Sequence, residues 1–192
     1  MPIWNNNYDD IEHILMSGSK KMNGTLDNTA VSDNGDGTVD IAITAHGQVV
    51  GNQVILAGTT NYDGVHAVKA ISANAITIAA TYVAETPAGT ETYFTCFQTN
   101  PTWQDYQIME IRLTLSAAGG AAEAYTIDLD HESGAAWDVE LDTVADMTLI
   151  SSAIWAAWEE RRYFNGGDIL TFTYANTNGR TWGLEIIIRK QS

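Results

Sequence analysis

Apolar and polar residues alternate with a period of two along much of this chain. Val39, Ile41 and Ile43 alternate with Asp40, Ala42 and Thr44, a pattern that turns one face of a strand to a core and the other to solvent. Val54, Ile55 and Leu56 form a more continuously apolar strand, and residues 65–71 and 75–80 predict two more, joined at Ser72, Ala73 and Asn74, whose small polar side chains suit a turn. The same rhythm returns at 108–115, 125–129, 137–141, 169–174 and 182–189. Between these stretches stand glycine-bearing turns at 33–37, 63–64, 164–168 and 176–179, where glycine and asparagine reach the positive φ angles that tight hairpins need. Consecutive strands are therefore expected to be antiparallel neighbours, and the chain to be mainly β.

Three textures divide it. Residues 1–26 mix asparagines with Asp9, Asp10 and Glu12, and the spacing of Ile11, Ile14 and Leu15 permits a short helix; this stretch reads as an N-terminal docking segment. Residues 27–98 carry short strands and turns of a small β-barrel, and residues 99–192 the longer alternations of a jelly-roll-like β-sandwich. Barrel and sandwich need not follow one another, because the pattern also allows the barrel to be inserted into the larger domain. The helix candidate of the C-terminal part is 148–162, with Ile150, Ile154, Trp155 and Trp158 three to four residues apart. Its β-branched and aromatic content favours a strand followed by an irregular segment.

Composition narrows the function classes. Of 192 residues, 45% are hydrophobic, enough for a real core. Twenty-four acidic residues against nine basic ones give a net charge of −15. The basic residues occur at most in pairs, as at Lys20–Lys21, Arg161–Arg162 and Arg189–Lys190, whereas phosphate neutralisation needs several clustered cations; no nucleic-acid partner is expected. Apolar runs fall far short of the roughly 20 residues that cross a bilayer, so no membrane partner is expected either. Cys96, the one cysteine, has no partner for an intrachain disulfide and sits in an apolar run as a small core residue. The first residues have neither the basic start nor the apolar core of a secretion signal, which suits synthesis in a reducing cytoplasm.

Ala45-His46-Gly47, then Gly51-Asn52-Gln53-Val54, then Gly58 through Asn61-Tyr62-Asp63-Gly64 and Val68 resemble a module of tailed-bacteriophage virion structural proteins that is likened to the first catalytic-cysteine half-domain of ubiquitin-activating enzymes. The resemblance covers about 70 residues and implies a small β-barrel. It implies no ubiquitin chemistry, because the chain shows no nucleotide-binding loop and no activated cysteine.

The chemistry-bearing residues are few. His13, His46, His66 and His131 fall at no metal-site spacing. The acidic loop 33–38 is oxygen-rich but lacks the glutamate and spacing of a calcium loop. The densest acidic cluster is 128–132, in which Asp128 and Asp130 would share one strand face and could flank a sugar, or simply be a solvated strand end. Trp137, Trp155, Trp158 and Trp182 offer core packing, a subunit interface or a glycan contact. With so few chemistry-bearing residues, the phage-module resemblance implies a noncatalytic virion component, made in the host cytoplasm, without cofactor or metal, that assembles as a homo-oligomer with other virion proteins. The alternative is a carbohydrate- or receptor-binding module recognising a host-surface glycan.

Overall fold

The computed structural model describes residues 11–98, 106–131, 133–156 and 163–190. They contain fifteen strands, one 3-10 turn at Ala135–Trp137 and no α-helix. A five-stranded antiparallel sheet is built from β1 (Ile11–Ser19), β9 (Tyr106–Leu115), β12 (Ser152–Ala156), β13 (Tyr163–Phe164) and β15 (Thr181–Lys190), in the order β1-β15-β9-β12 with β13 also on β9. The other ten strands form one antiparallel sheet. One end holds β11 (Val139–Val144), β10 (Tyr125–Asp130) and β14 (Ile169–Tyr174); β8 (Thr92–Gln98) follows. The sheet continues through β5 (Gln53–Ala57), β6 (Gly64–Ile71), β7 (Ala75–Ala79) and β4 (Thr38–Ala42) to β3 (Ser32–Asp33), while β2 (Asn23–Thr25) pairs with β8.

Two cores result. In the first, Ile111, Leu113, Leu184, Ile186 and Ile188 of the five-stranded sheet meet Ile127, Leu170, Phe172 and Tyr174 of the other, with Trp182 sealing one end. This is a sandwich-like arrangement of facing sheets. The second core lies between the strands β4 to β8 and holds Val39, Ile41, Val54, Leu56, Val68, Ile76, Ile78 and Tyr93, with Leu26, Val31 and Tyr62 from connecting segments. The residues that alternate in the sequence are the ones that interdigitate here.

Strand β8 belongs to both cores. Its one edge carries β5; its other edge is shared end to end, β2 pairing with Thr92–Phe94 and β14 with Thr95–Gln98. Tyr93 enters the second core and Phe97, four residues on and on the same face, enters the first.

Several expectations change. The described part of the segment 1–26 is built into the fold: β1 pairs with β15 of its own chain from Ile11↔Arg189 to Ser19↔Thr181, and Met16 and Met22 join the first core; residues 1–10 lie outside the described ones. The helix spacing at Ile11, Ile14 and Leu15 arose because Leu15 faces solvent, 74% exposed. The second core, from Leu26 to Tyr93, thus sits between strands of the first. Trp137 ends a 3-10 turn, with the strand beginning only at Val139. Within 148–162 a strand forms at Ser152–Ala156; residues 157–162 lie outside the described ones.

Candidate functional site

Two clusters of polar side chains stand out, one inside the molecule and one on its rim. The inner cluster combines two residues of the phage-module resemblance, His46 and Asn52, with Gln48 and Thr95. His46, Gln48, Asn52 and Thr95 are all buried, and the large majority of buried polar groups are hydrogen-bonded. The Gln48 amide Nε2 donates to Thr95 Oγ1 (2.9 Å), and Asn52 Nδ2 donates to Gln48 Oε1 (2.9 Å) and to the Ser17 carbonyl (2.8 Å). The Thr95 hydroxyl in turn donates to the Met22 carbonyl (2.8 Å). The chain of bonds therefore runs from β1 through the loop at 46–52 to β8 and to Met22, just ahead of β2, across the junction of the two cores.

His46 is locked at both ring nitrogens. Nδ1 accepts the Gln48 backbone N–H (2.9 Å), so Nε2 carries the hydrogen that meets the Ser72 carbonyl (3.0 Å). Gly47 has φ +66°, and a Cβ there would fall 1.3 Å from the Ser19 carbonyl oxygen. No side chain fits. The Ser19 N–H donates to the Gly47 carbonyl (2.9 Å), and Gly18 packs against the indole of Trp182, where an added Cβ would fall 2.5 Å from the ring.

The second part of the motif is equally structural. Asp63 Oδ1 caps the backbone N–H and hydroxyl of Thr59 (2.6 and 2.7 Å), and Glu85 accepts the N–H groups of Thr60 and Asn61 (2.7 and 2.9 Å). The Tyr62 ring fills the second core while its hydroxyl donates to Val83 O (2.7 Å). In the acidic loop, Asp33 accepts the Gly35 N–H (2.8 Å) and Asp36 accepts the N–H and hydroxyl of Thr38 (3.0 and 2.6 Å). These bonds hold the Asp36 carboxyl below its usual range and spend both carboxylates on their own turn.

The rim cluster lies at the β10–β11 hairpin. Asp128 and Asp130 do share the face turned away from the core. Burial pushes the Asp128 carboxyl up, opposed by the Thr126 hydroxyl and reinforced by Glu140. Burial, then Asp138 and Asp168, pushes Asp130 up. The connection 131–138 is closed on itself: the His131 N–H donates to Asp138 Oδ1 (2.9 Å), the Ser133 N–H to His131 Nδ1 (3.0 Å) and the Trp137 N–H to Gly134 O (2.9 Å). Trp137 projects from it, 66% exposed, its ring centroid 6.3 Å from that of His131. Among the described residues no group of three His, Cys, Asp or Glu side chains converges as a metal set.

The four tryptophans singled out from the six in the sequence therefore separate. Trp137 is an exposed tip, Trp155 packs half-buried against the first core, and Trp182, 1% exposed, is sealed in the core, out of reach of any partner. Trp158 lies outside the described residues.

No family model and no curated protein matches this chain. The inner network was missed from sequence because the bonds that carry it across the junction join residues 35 to 73 positions apart; the one local signal was the polar residues beside Gly47 and Gly51. A further surface feature is a groove of about 440 Å³ on the outer face of the five-stranded sheet, where Gly183 leaves a gap flanked by Leu15, Arg112 and Thr114.

Proposed function

We propose that this chain is a noncatalytic structural component of a tailed-phage virion, at the capsid surface, neck or tail, working through subunit assembly. The observation that carries the reading is the fate of the resemblance residues His46, Gly47 and Asn52: together with Gln48 and Thr95, which lie outside the motif, they are committed to joining two cores, a use suited to a rigid assembly block. On this reading, strands β4 to β8 are the small barrel of the phage module and the first core is the jelly-roll-like sandwich. Antibody labelling of gradient-purified particles tests it. A regular label at one particle position is expected; particles that lack the protein while the infected cells contain it contradict the reading.

Trp137 favours a second reading, a glycan-binding virion module. An exposed indole on a hairpin whose backbone is already hydrogen-bonded offers a flat apolar platform at little ordering cost, and Asp130 and Asp138 supply acceptors for sugar hydroxyls. A glycan array probed with the wild-type chain and Trp137→Ala is decisive: binding lost in the variant supports this reading, and no binding by the wild type removes it.

A further inference from the structure

The β1 edge of the five-stranded sheet is finished at one end only. Ser17 of β1 turns its backbone N–H and C=O away from β15, and the Asn52 side chain meets both, Oδ1 at 3.4 Å from the nitrogen and Nδ2 at 2.8 Å from the oxygen. Asn52 acts there as a one-residue strand, and Gly47 does the same for the Ser19 N–H. Backbone direction alternates along an antiparallel strand, and the pairing of β1 with β15 has no register shift. Ile11, His13 and Leu15 therefore present their N–H and C=O groups outward as well, and among the described residues nothing pairs with them. Edges left this way are templates for another strand.

Geometry limits which strand fits. Outward residues must face outward residues, and Asn52 blocks the edge beyond Leu15. An antiparallel copy of β1 centred on His13 satisfies both conditions: His13 faces its own counterpart, and Ile11 faces Leu15 of the second copy, so that exposed Leu15 gains an apolar neighbour. Charge favours the same occupant. The strands β1, β9, β12 and β15 carry Glu12, Glu110 and Glu185 against Arg112, Arg189 and Lys190, with Lys190–Glu12 at 2.6 Å and Arg112–Glu185 at 3.2 Å. The β10–β11 rim instead concentrates Asp128, Asp130, Asp138 and Glu140. Two copies of a chain of charge −15 repel one another, and the balanced sheet adds less to that repulsion than the acidic β10–β11 rim would.

We infer that β1 is the seam of a two-fold homodimer, in which the five-stranded sheets of two copies run into one another across His13. The dimer does not depend on the virion reading and stands or falls in solution. Sedimentation of the full chain over a range of concentrations is expected to show a monomer–dimer equilibrium. His13→Pro is expected to abolish the dimer, because proline removes the central outward N–H and sets its ring in the seam while the bonds to β15 stay in place; an unchanged far-ultraviolet circular dichroism spectrum and melting transition show that the fold is kept. Facing hydrogen-bonded residues have Cα atoms about 5.5 Å apart, within reach of a disulfide, so His13→Cys is expected to form a covalent dimer on mild oxidation and Leu15→Cys is not. A wild-type chain that stays monomeric throughout, or a dimer that ignores His13→Pro while His13→Cys fails to cross-link, overturns the inference.

Discussion

Replacing Asn52 by alanine is expected to destabilise the protein by about 2–4 kcal/mol. The figure follows from what the truncation strands. Gln48 Oε1 is buried and loses the Asn52 amide, its partner at 2.9 Å; a buried acceptor left unpaired costs about 1–3 kcal/mol. The Ser17 carbonyl, less deeply buried, loses the 2.8 Å bond from the same amide and adds about 1 kcal/mol. Against a usual folding stability of about 5–15 kcal/mol this is a large loss, equivalent for a chain of this length to roughly 4–16 °C in Tm. Urea denaturation should show a lower midpoint at unchanged slope. Asn34→Ala is the control: Asn34 also makes two side-chain bonds, to Thr38 Oγ1 and Asp40 Oδ1, but exposed ones, and its loss is expected to stay below about 1 kcal/mol. Adding Gln48→Ala to Asn52→Ala should cost less than the sum of the two, because the stranded acceptor is then gone. Equal effects of Asn52→Ala and Asn34→Ala, or strict additivity with Gln48→Ala, would refute the reasoning.

Other outcomes follow from the same geometry. Trp182→Ala should cost about 3–5 kcal/mol in denaturation experiments, as large aromatic deletions in cores do, whereas Trp137→Ala should stay within about 0.5 kcal/mol of wild type. Burial raises the Cys96 thiol pKa strongly, so a thiol reagent at neutral pH should label Cys96 only after denaturant is added; rapid labelling of the native chain contradicts the core placement. Asp130 binds its proton more readily in the folded chain than in the unfolded one, so its charged form costs stability above the carboxylate range. Asp130→Asn should raise Tm at neutral pH, and the gain should vanish as the pH falls into the range in which the wild-type carboxyl is protonated in both states.

The strands were legible wherever one face is buried and the other wet. Val39 and Ile41, or Ile186 and Ile188, alternate with half-exposed residues because the pleat makes them do so. The pattern misleads where an apolar side chain faces solvent, as Leu15 does, since periodicity records residue type and not environment. Asp128 and Asp130 were placed correctly on one outward face, because two positions within a strand share a side by geometry alone. The joining of the cores was not legible. His46, Gln48 and Asn52 look like turn residues, and their burial depends on β1 and β8 arriving from distant parts of the chain. The same limit applies to the tryptophans: no local signal separates Trp182, deep in the core, from Trp137, exposed on a hairpin.

The central claim is that this buried polar clasp makes the two cores one cooperative unit, and native-state hydrogen exchange tests it most directly. In the wild type, the amides of Val54–Leu56 in the second core and of Leu184–Ile188 in the first should exchange with the same opening free energy and the same denaturant dependence. In Asn52→Ala the second core should open at lower free energy than the first. Two cores that already open independently in the wild type, with Asn52→Ala leaving the gap between them unchanged, would contradict it.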